Sequence, residues 1–165
     1  MTNTWIPPEE YVKTLAQATS YGCLYFTDTK GRPVQLRAVR SSETWQWPGG
    51  NMESGETPWQ CALRECREET GIDFTGQQRL LAVHFLPPDD EWPVNHIGFI
   101  FDGGTLTDEQ VDGIELDPGE HSELRVLTVE EWSQLMTPRS LARLIAVDRA
   151  RQSGSVAYLD EAEAR

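Results

Sequence analysis

The chain contains no run of 18 apolar residues and no basic stretch followed by an apolar one at its N-terminus. Neither a membrane span nor a signal peptide is therefore expected, and a cytoplasmic location follows. Cysteine is scarce: Cys23, Cys61 and Cys66 are an odd set without metal-ligand spacing, which fits free thiols in a reducing compartment. Basic side chains are also few, 14 against 27 acidic ones, for a formal net charge of −13. Phosphate backbones are normally met by clustered Lys and Arg, so a general nucleic-acid surface is not expected. No internal repeat or low-complexity tract appears.

What is present suits a single domain over residues 1–165, with 38% hydrophobic content to fill one core. The negative charge is unevenly placed. Residues 1–48 carry five basic and four acidic side chains, whereas residues 49–165 carry nine and twenty-three. An anionic phosphate substrate approaching the second part would need metal ions and local arginines. Arg37 and Arg40, on the strand ahead of the acidic region, are the candidates, with ordinary exposed strand charges as the alternative.

The acidic region begins with GNMESGETPWQCALRECREETGI, Gly50 to Ile72. At about 3.6 residues per turn, Glu65, Glu68 and Glu69 share one helix face. Carboxylates this close raise one another's pKa unless a cation lies among them. Oxygen ligands with no Cys or His in reach favour Mg2+ or Mn2+ over zinc. On the opposite face Trp59, Ala62, Leu63 and Cys66 form an apolar stripe that should pack on a sheet. Thr57 or Glu56 caps the helix, Pro58 suits its first turn and Gly71 its left-handed end, giving limits near 57 and 70.

Written as a pattern, the segment has Gly50, Glu56, Arg64, Glu65, Glu68, Glu69 and Gly71 at fixed spacings, with an apolar residue at position 72. It resembles the Nudix box that defines the Nudix hydrolase superfamily, with every fixed position present. Cys66 stands where that family usually has a branched aliphatic, a change that should touch packing only. Trp47-Pro48-Gly49-Gly50 looks like the family's lead-in strand and turn, and the resemblance extends from about Tyr21 to Met136.

The resemblance implies an α/β fold, an α/β/α sandwich with a mixed sheet between helices, and a metal-dependent hydrolase of phosphoanhydrides. It implies metal ligation by Glu65, Glu68 and Glu69 and by the main-chain carbonyl of Gly49. Arg64 would orient Glu65, and Glu56 would tie the loop to the helix. The family's general base is not uniform. Glu120, just ahead of a strand near Leu124, is the further candidate ligand or base, and Glu123 is its competitor.

Outside the box, a first helix is expected over residues 7–18. Strands are expected over 21–27, 33–40, 44–47, 79–86, 94–101 and 122–129, with short helices over 108–111 and from Thr128 to Leu135. A longer helix should run from Thr137-Pro138 to about Ala150. The tail from Gln152 either frays or adds a turn to a partner subunit, which leaves a homodimer open. His84, His96 and His121 show no ligand spacing and are expected to be satisfied or exposed rather than catalytic. Trp45 and Trp47 point to one side of a strand, where core packing is favoured over a base-stacking platform. Trp92, in the loop after the box, is the better candidate for touching substrate.

The expected activity is magnesium-dependent hydrolysis of a small-molecule nucleotide. The substrate is either a nucleoside diphosphate linked to another group, with ADP-ribose slightly preferred because of Pro87, or a nucleoside triphosphate. A nucleotide sensor that does not hydrolyse and an RNA 5′-end processing enzyme are the alternatives.

Overall fold

The structure is a computed structural model that describes residues 5–40 and 44–161. Its organising element is β1 (Ala18–Asp28), whose alternate residues face two different cores. Leu24 and Phe26 join Ala62, Cys66 and Phe101 on one side. Cys23 and Tyr25 join Trp47, Leu81, Ile100, Leu144 and Val147 on the other. Period-two alternation of apolar residues on both faces is what a strand buried between two layers requires.

The short N-terminal helix α1 (Pro8–Tyr11) precedes β1, and β2 (Val34–Ala38) and β3 (Trp45–Gln46) follow it. Next come β4 (Gly49–Asn51), α2 (Pro58–Thr70), β5 (Leu80–Leu86) and β6 (Asn95–Leu106). The order closes with α3 (Asp108–Asp112), β7 (His121–Val126), α4 (Val129–Trp132), α5 (Pro138–Ser153) and β8 (Ala157–Asp160).

A five-stranded mixed sheet has the order β4-β1-β6-β5-β8, and a smaller antiparallel sheet has the order β3-β2-β7. In the large sheet β1 runs parallel to β6 and antiparallel to β4. Helix α2 covers one face of the large sheet and α5 the other, which gives the α/β/α sandwich. Register fixes the site: Gly49 sits opposite Cys23 and Gly50 opposite Gly22, so the start of the acidic loop is held against the central strand.

Helix α2 is defined by local chemistry. The Thr57 hydroxyl accepts from the Gln60 amide, the Gln60 side chain reaches back to the Thr57 amide, and Pro58 occupies the first turn. Gly71 ends the helix in the left-handed region at φ 73°, where a Cβ would be strained. The apolar stripe falls as expected, with Ala62 and Cys66 fully buried and Trp59 and Leu63 packed beside them.

Three expectations are corrected. The first helix does not run from 7 to 18: α1 ends at Tyr11 and a 3-10 turn at Thr14. Tyr11 and Leu15 stay exposed, and Ala18 and Thr19 pair instead with Asn95 and His96. Strand β6 continues to Leu106 through Gly103 and Gly104, because a bulge beside Tyr25 and Phe26 absorbs the irregularity. The tail is neither frayed nor helical over Ala157–Asp160, which adds to β5 as a parallel strand. No described helix is long and apolar enough to cross a membrane.

Candidate active site

Arg64 is the hub of the acidic loop and helix. Its Nε and Nη2 donate to the two oxygens of Glu56 at 2.7 and 3.0 Å. Its Nη1 donates to Glu65 Oε1 at 2.8 Å and to Glu68 Oε2 at 3.0 Å, and Nη2 also reaches the Asn51 carbonyl at 3.2 Å. A planar fork is the side chain that can serve carboxylates on two elements at once. The guanidinium pulls the Glu56 carboxyl down to about 2, and the surrounding acids raise the pKa of Arg64 itself.

Glu65 leans on bare backbone. A Cβ added at Gly50 would lie 2.4 Å from Glu65 Oε1, so glycine is what lets this carboxylate approach β4. Burial raises the Glu65 pKa, Arg64 opposes that rise, and the charges of Glu69 and Glu68 add to it.

One helical turn on, Glu69 is buried, and its Oε2 accepts from the Gly49 amide at 2.7 Å. Its Oε1 lies 2.8 Å from His121 Nε2. Burial raises the Glu69 pKa while His121 and the Gly49 amide work against the rise. Burial opposes a charge on His121, but Glu69, Glu120 and the Arg37 carbonyl outweigh it, so its pKa is raised.

These groups open on a cleft of about 500 Å3 whose walls include Arg40, Gly49, Arg64, Glu65, Glu69 and Glu120. The site residues expected from sequence thus divide. Arg40, Gly49, Arg64, Glu65, Glu69 and Glu120 meet at one cavity, with Glu56 behind Arg64. Glu68 is half exposed, tied to Arg64 and outside that wall. Arg37 turns away: it pairs with Glu123 at 3.1 Å and sits 5.8 Å over the Trp45 ring. Trp92 donates to the Thr19 hydroxyl at 2.8 Å and rests against His96, beyond the cleft. Trp45 and Trp47 are both buried core residues.

His121 is the residue whose position was missed. Glu69, Glu120 and His121 each bring a ligand-type atom within 4.8 Å of the others. His121 lies in a separate strand from Glu69, so spacing along the chain carries no sign of the contact. The signal within the sequence was its adjacency to Glu120.

The donor set fits a hard divalent cation. Carboxylates that burial and mutual repulsion push toward protonation gain most from a positive ion among them. Glu65, Glu69 and Glu120 stand at the wall of the cavity, where their oxygens could hold such an ion.

A second cavity, of about 300 Å3, lies across β4 from the first and shares the Gly49–Asn51 wall. Tyr21, Trp47, His84, His96 and Arg143 line it. The arrangement is an acid-lined cleft beside an aromatic pocket.

Comparison with known proteins agrees with this architecture. The NUDIX domain profile matches residues 16–146. An 8-oxo-dGTP diphosphatase of Proteus vulgaris is 58% identical over 31 residues, 19% of this chain and 28% of that protein. A dihydroneopterin triphosphate diphosphatase of Escherichia coli (strain K12) is 40% identical over 58 residues, 35% of this chain and 38% of that protein. The matches therefore span well under half the length of these curated relatives. The crystal structure of a MutT protein from Methanosarcina mazei Go1 superposes with a TM-score of 0.65 at 20% identity, covering 84% of this chain and 96% of that one. With its sandwich fold and with the family profile matched along most of its length, this chain belongs to the NUDIX domain family.

Proposed function

We propose that the protein is a divalent-metal-dependent pyrophosphohydrolase that splits a phosphoanhydride bond of a small-molecule nucleotide, with a nucleoside triphosphate as its best substrate. The observation that carries this reading is the acid-lined cleft sharing its β4 wall with an aromatic pocket of base size. One cavity suits a metal-bound phosphate chain and the other a flat ring. The curated relatives are named as diphosphatases acting on triphosphates, which favours a triphosphate here. Pro87 adds no weight to ADP-ribose, because it opens a turn in which the Asp89 amide meets the Trp92 carbonyl at 3.0 Å.

Glu65 and Glu69, with Glu68 and the Gly49 carbonyl beside them, would hold Mg2+ or Mn2+, which would neutralise phosphate oxygens and acidify bound water. Arg64 keeps Glu65 ionised and aimed into the cleft while Glu56 steadies Arg64. His121 and the Gly49 amide hold Glu69 in one orientation. Arg40 meets the phosphate chain at the cleft wall. Glu120, exposed at the rim, takes the proton of the attacking water at a carboxylate oxygen. The water oxygen bonds to phosphorus, the bridging P–O bond breaks, and its electron pair leaves with the departing phosphate group.

The test is to incubate purified protein, with and without Mg2+ or Mn2+, with nucleoside triphosphates, oxidised triphosphates, dinucleotides and ADP-ribose. Metal-dependent release of a nucleoside monophosphate and its loss in Glu65→Gln are expected. Binding without release from any substrate would make the protein a nucleotide sensor and overturn the enzyme reading.

A further inference from the structure

The aromatic pocket holds an arginine that the phosphate chemistry does not use. Arg143, on α5, places its guanidinium 4.8 Å from the centre of the Trp47 ring. Its Nε is buried without a hydrogen-bond partner, as is Nε1 of Trp47. Glu161, which lines a neighbouring cavity with His84 and Arg143, is engaged with His84 and Arg139. In a chain with a net charge of −13, a half-buried guanidinium with no carboxylate of its own among the described residues marks a place where a ligand brings acceptors.

The neighbouring groups fix what kind of acceptor that is. His84 Nε2 lies 2.5 Å from Glu161 Oε1, and His84 Nδ1 lies 2.7 Å from the Tyr21 hydroxyl. A carboxylate accepts, so Nε2 carries the proton, Nδ1 is the lone pair, and Tyr21 donates to it. Burial first, then the charges of Arg143 and Arg139, pull the His84 pKa down to about 3 and keep the ring neutral. The Tyr21 proton is thus committed inward. Burial raises the pKa of that hydroxyl, and Arg143 beside it pulls the other way. With that proton committed the Tyr21 oxygen turns only lone pairs outward, so the donors the pocket offers a ligand are those of the Arg143 guanidinium, in a frame of rings: Tyr21 and His96 lie 4.9 Å apart between centroids.

We propose that Arg143 selects the base, donating to the carbonyl oxygen O6 and the lone-pair nitrogen N7 of a keto purine such as guanine, or to the matching acceptors of a like keto heterocycle. Adenine would turn an amino donor toward the same guanidinium. The proposal rests on the reading of the neighbouring cleft as a nucleotide hydrolase site, and it adds the substrate class. A bidentate arginine contact to a purine oxygen and nitrogen is a strong source of base discrimination, and the mostly apolar walls suit a ring better than a second phosphate.

The experiment measures binding of guanosine and adenosine without metal, and kcat/KM for GTP and ATP with Mg2+, in wild type, Arg143→Met and Arg143→Gln. Wild type is expected to favour guanine by roughly tenfold or more, a preference that Arg143→Met collapses toward one. Arg143→Gln, whose amide carries both a donor and an acceptor, is expected to move the preference toward adenine, and circular dichroism verifies that each variant is folded. Equal use of both bases by wild type, or a preference that survives in both variants, overturns the proposal while leaving nucleotide hydrolysis standing. Displacement of guanosine by inorganic pyrophosphate in the metal-free protein also overturns it, since Arg143 would then be an anion site. If no nucleotide is hydrolysed but guanosine binding still depends on Arg143, the proposal stands and the hydrolase reading falls.

Discussion

The two cavities flanking β4 are assembled in different ways. The acid-lined cleft takes most of its groups from one loop and one helix turn, with Asn51, Glu56, Arg64, Glu65 and Glu69 joined through a single guanidinium and one glycine-rich strand. The aromatic pocket takes Tyr21 from β1, Trp47 from the link into β4, His84 from β5 and Arg143 from α5. The first is a network of charges whose geometry is locally determined. The second exists only because the sheet and α5 pack as they do. Chemistry should therefore follow from residues of the box with Glu120 and Arg40 at the cleft wall, and base selectivity from residues that the fold brings together in the pocket.

The largest effect is expected at Glu65. Outer partners of metal ligands alone are worth roughly 10- to 100-fold, so Glu65→Gln should lower kcat by at least roughly 10²-fold for every nucleotide, as steady-state product release would show. Arg64→Lys comes next. A point charge cannot replace a fork that serves Glu56, Glu65 and Glu68 together, so a loss of about 10- to 100-fold in metal affinity is expected by titration. A base preference altered by either substitution would break the separation between the two cavities.

Smaller changes sharpen it. Thr57→Ala removes the capping hydroxyl of α2 and should cost about 1 kcal/mol in denaturant unfolding, with the preference for one base over another intact. In stability, Glu56→Gln should show through pH. The Glu56 pKa is lowered from 4.5 to about 2 by Arg64, so its contribution to stability is present above pH 4.5 and lost as pH falls toward 2. Melting temperatures of the variant should be flatter than wild type over that window. A parallel acid limb in both proteins would show that the pair does not stabilise the fold.

The same division explains what could be read from the sequence. The helix limits at Thr57 and Gly71 and its apolar face follow from spacing and capping chemistry, because both are local, whereas the role of Arg64 toward Glu65 was implied by the resemblance and its pairing with Glu56 is seen only in the structure. The first helix fell short for a tertiary reason: Ala18 and Thr19 gain partners in β6 that a helix would forgo. Strand β8 was missed because the edge of β5, which accepts it, lies far away in sequence. Arg37 and Arg40 look equivalent on paper, yet Glu123 on the neighbouring β7 draws Arg37 aside while Arg40 stays at the cleft. Arg143 gave no local sign of its place and His121 only its adjacency to Glu120, since their partners Trp47 and Glu69 are joined to them only by packing.

The division of labour between the cavities is tested most directly by the ratio of kcat/KM for GTP to that for ATP in two variants, Glu120→Gln at the cleft rim and Arg143→Met in the pocket. The structure predicts that Glu120→Gln lowers both values and keeps the wild-type ratio, whereas Arg143→Met brings the ratio toward one. A ratio that changes with Glu120 and not with Arg143 would contradict it.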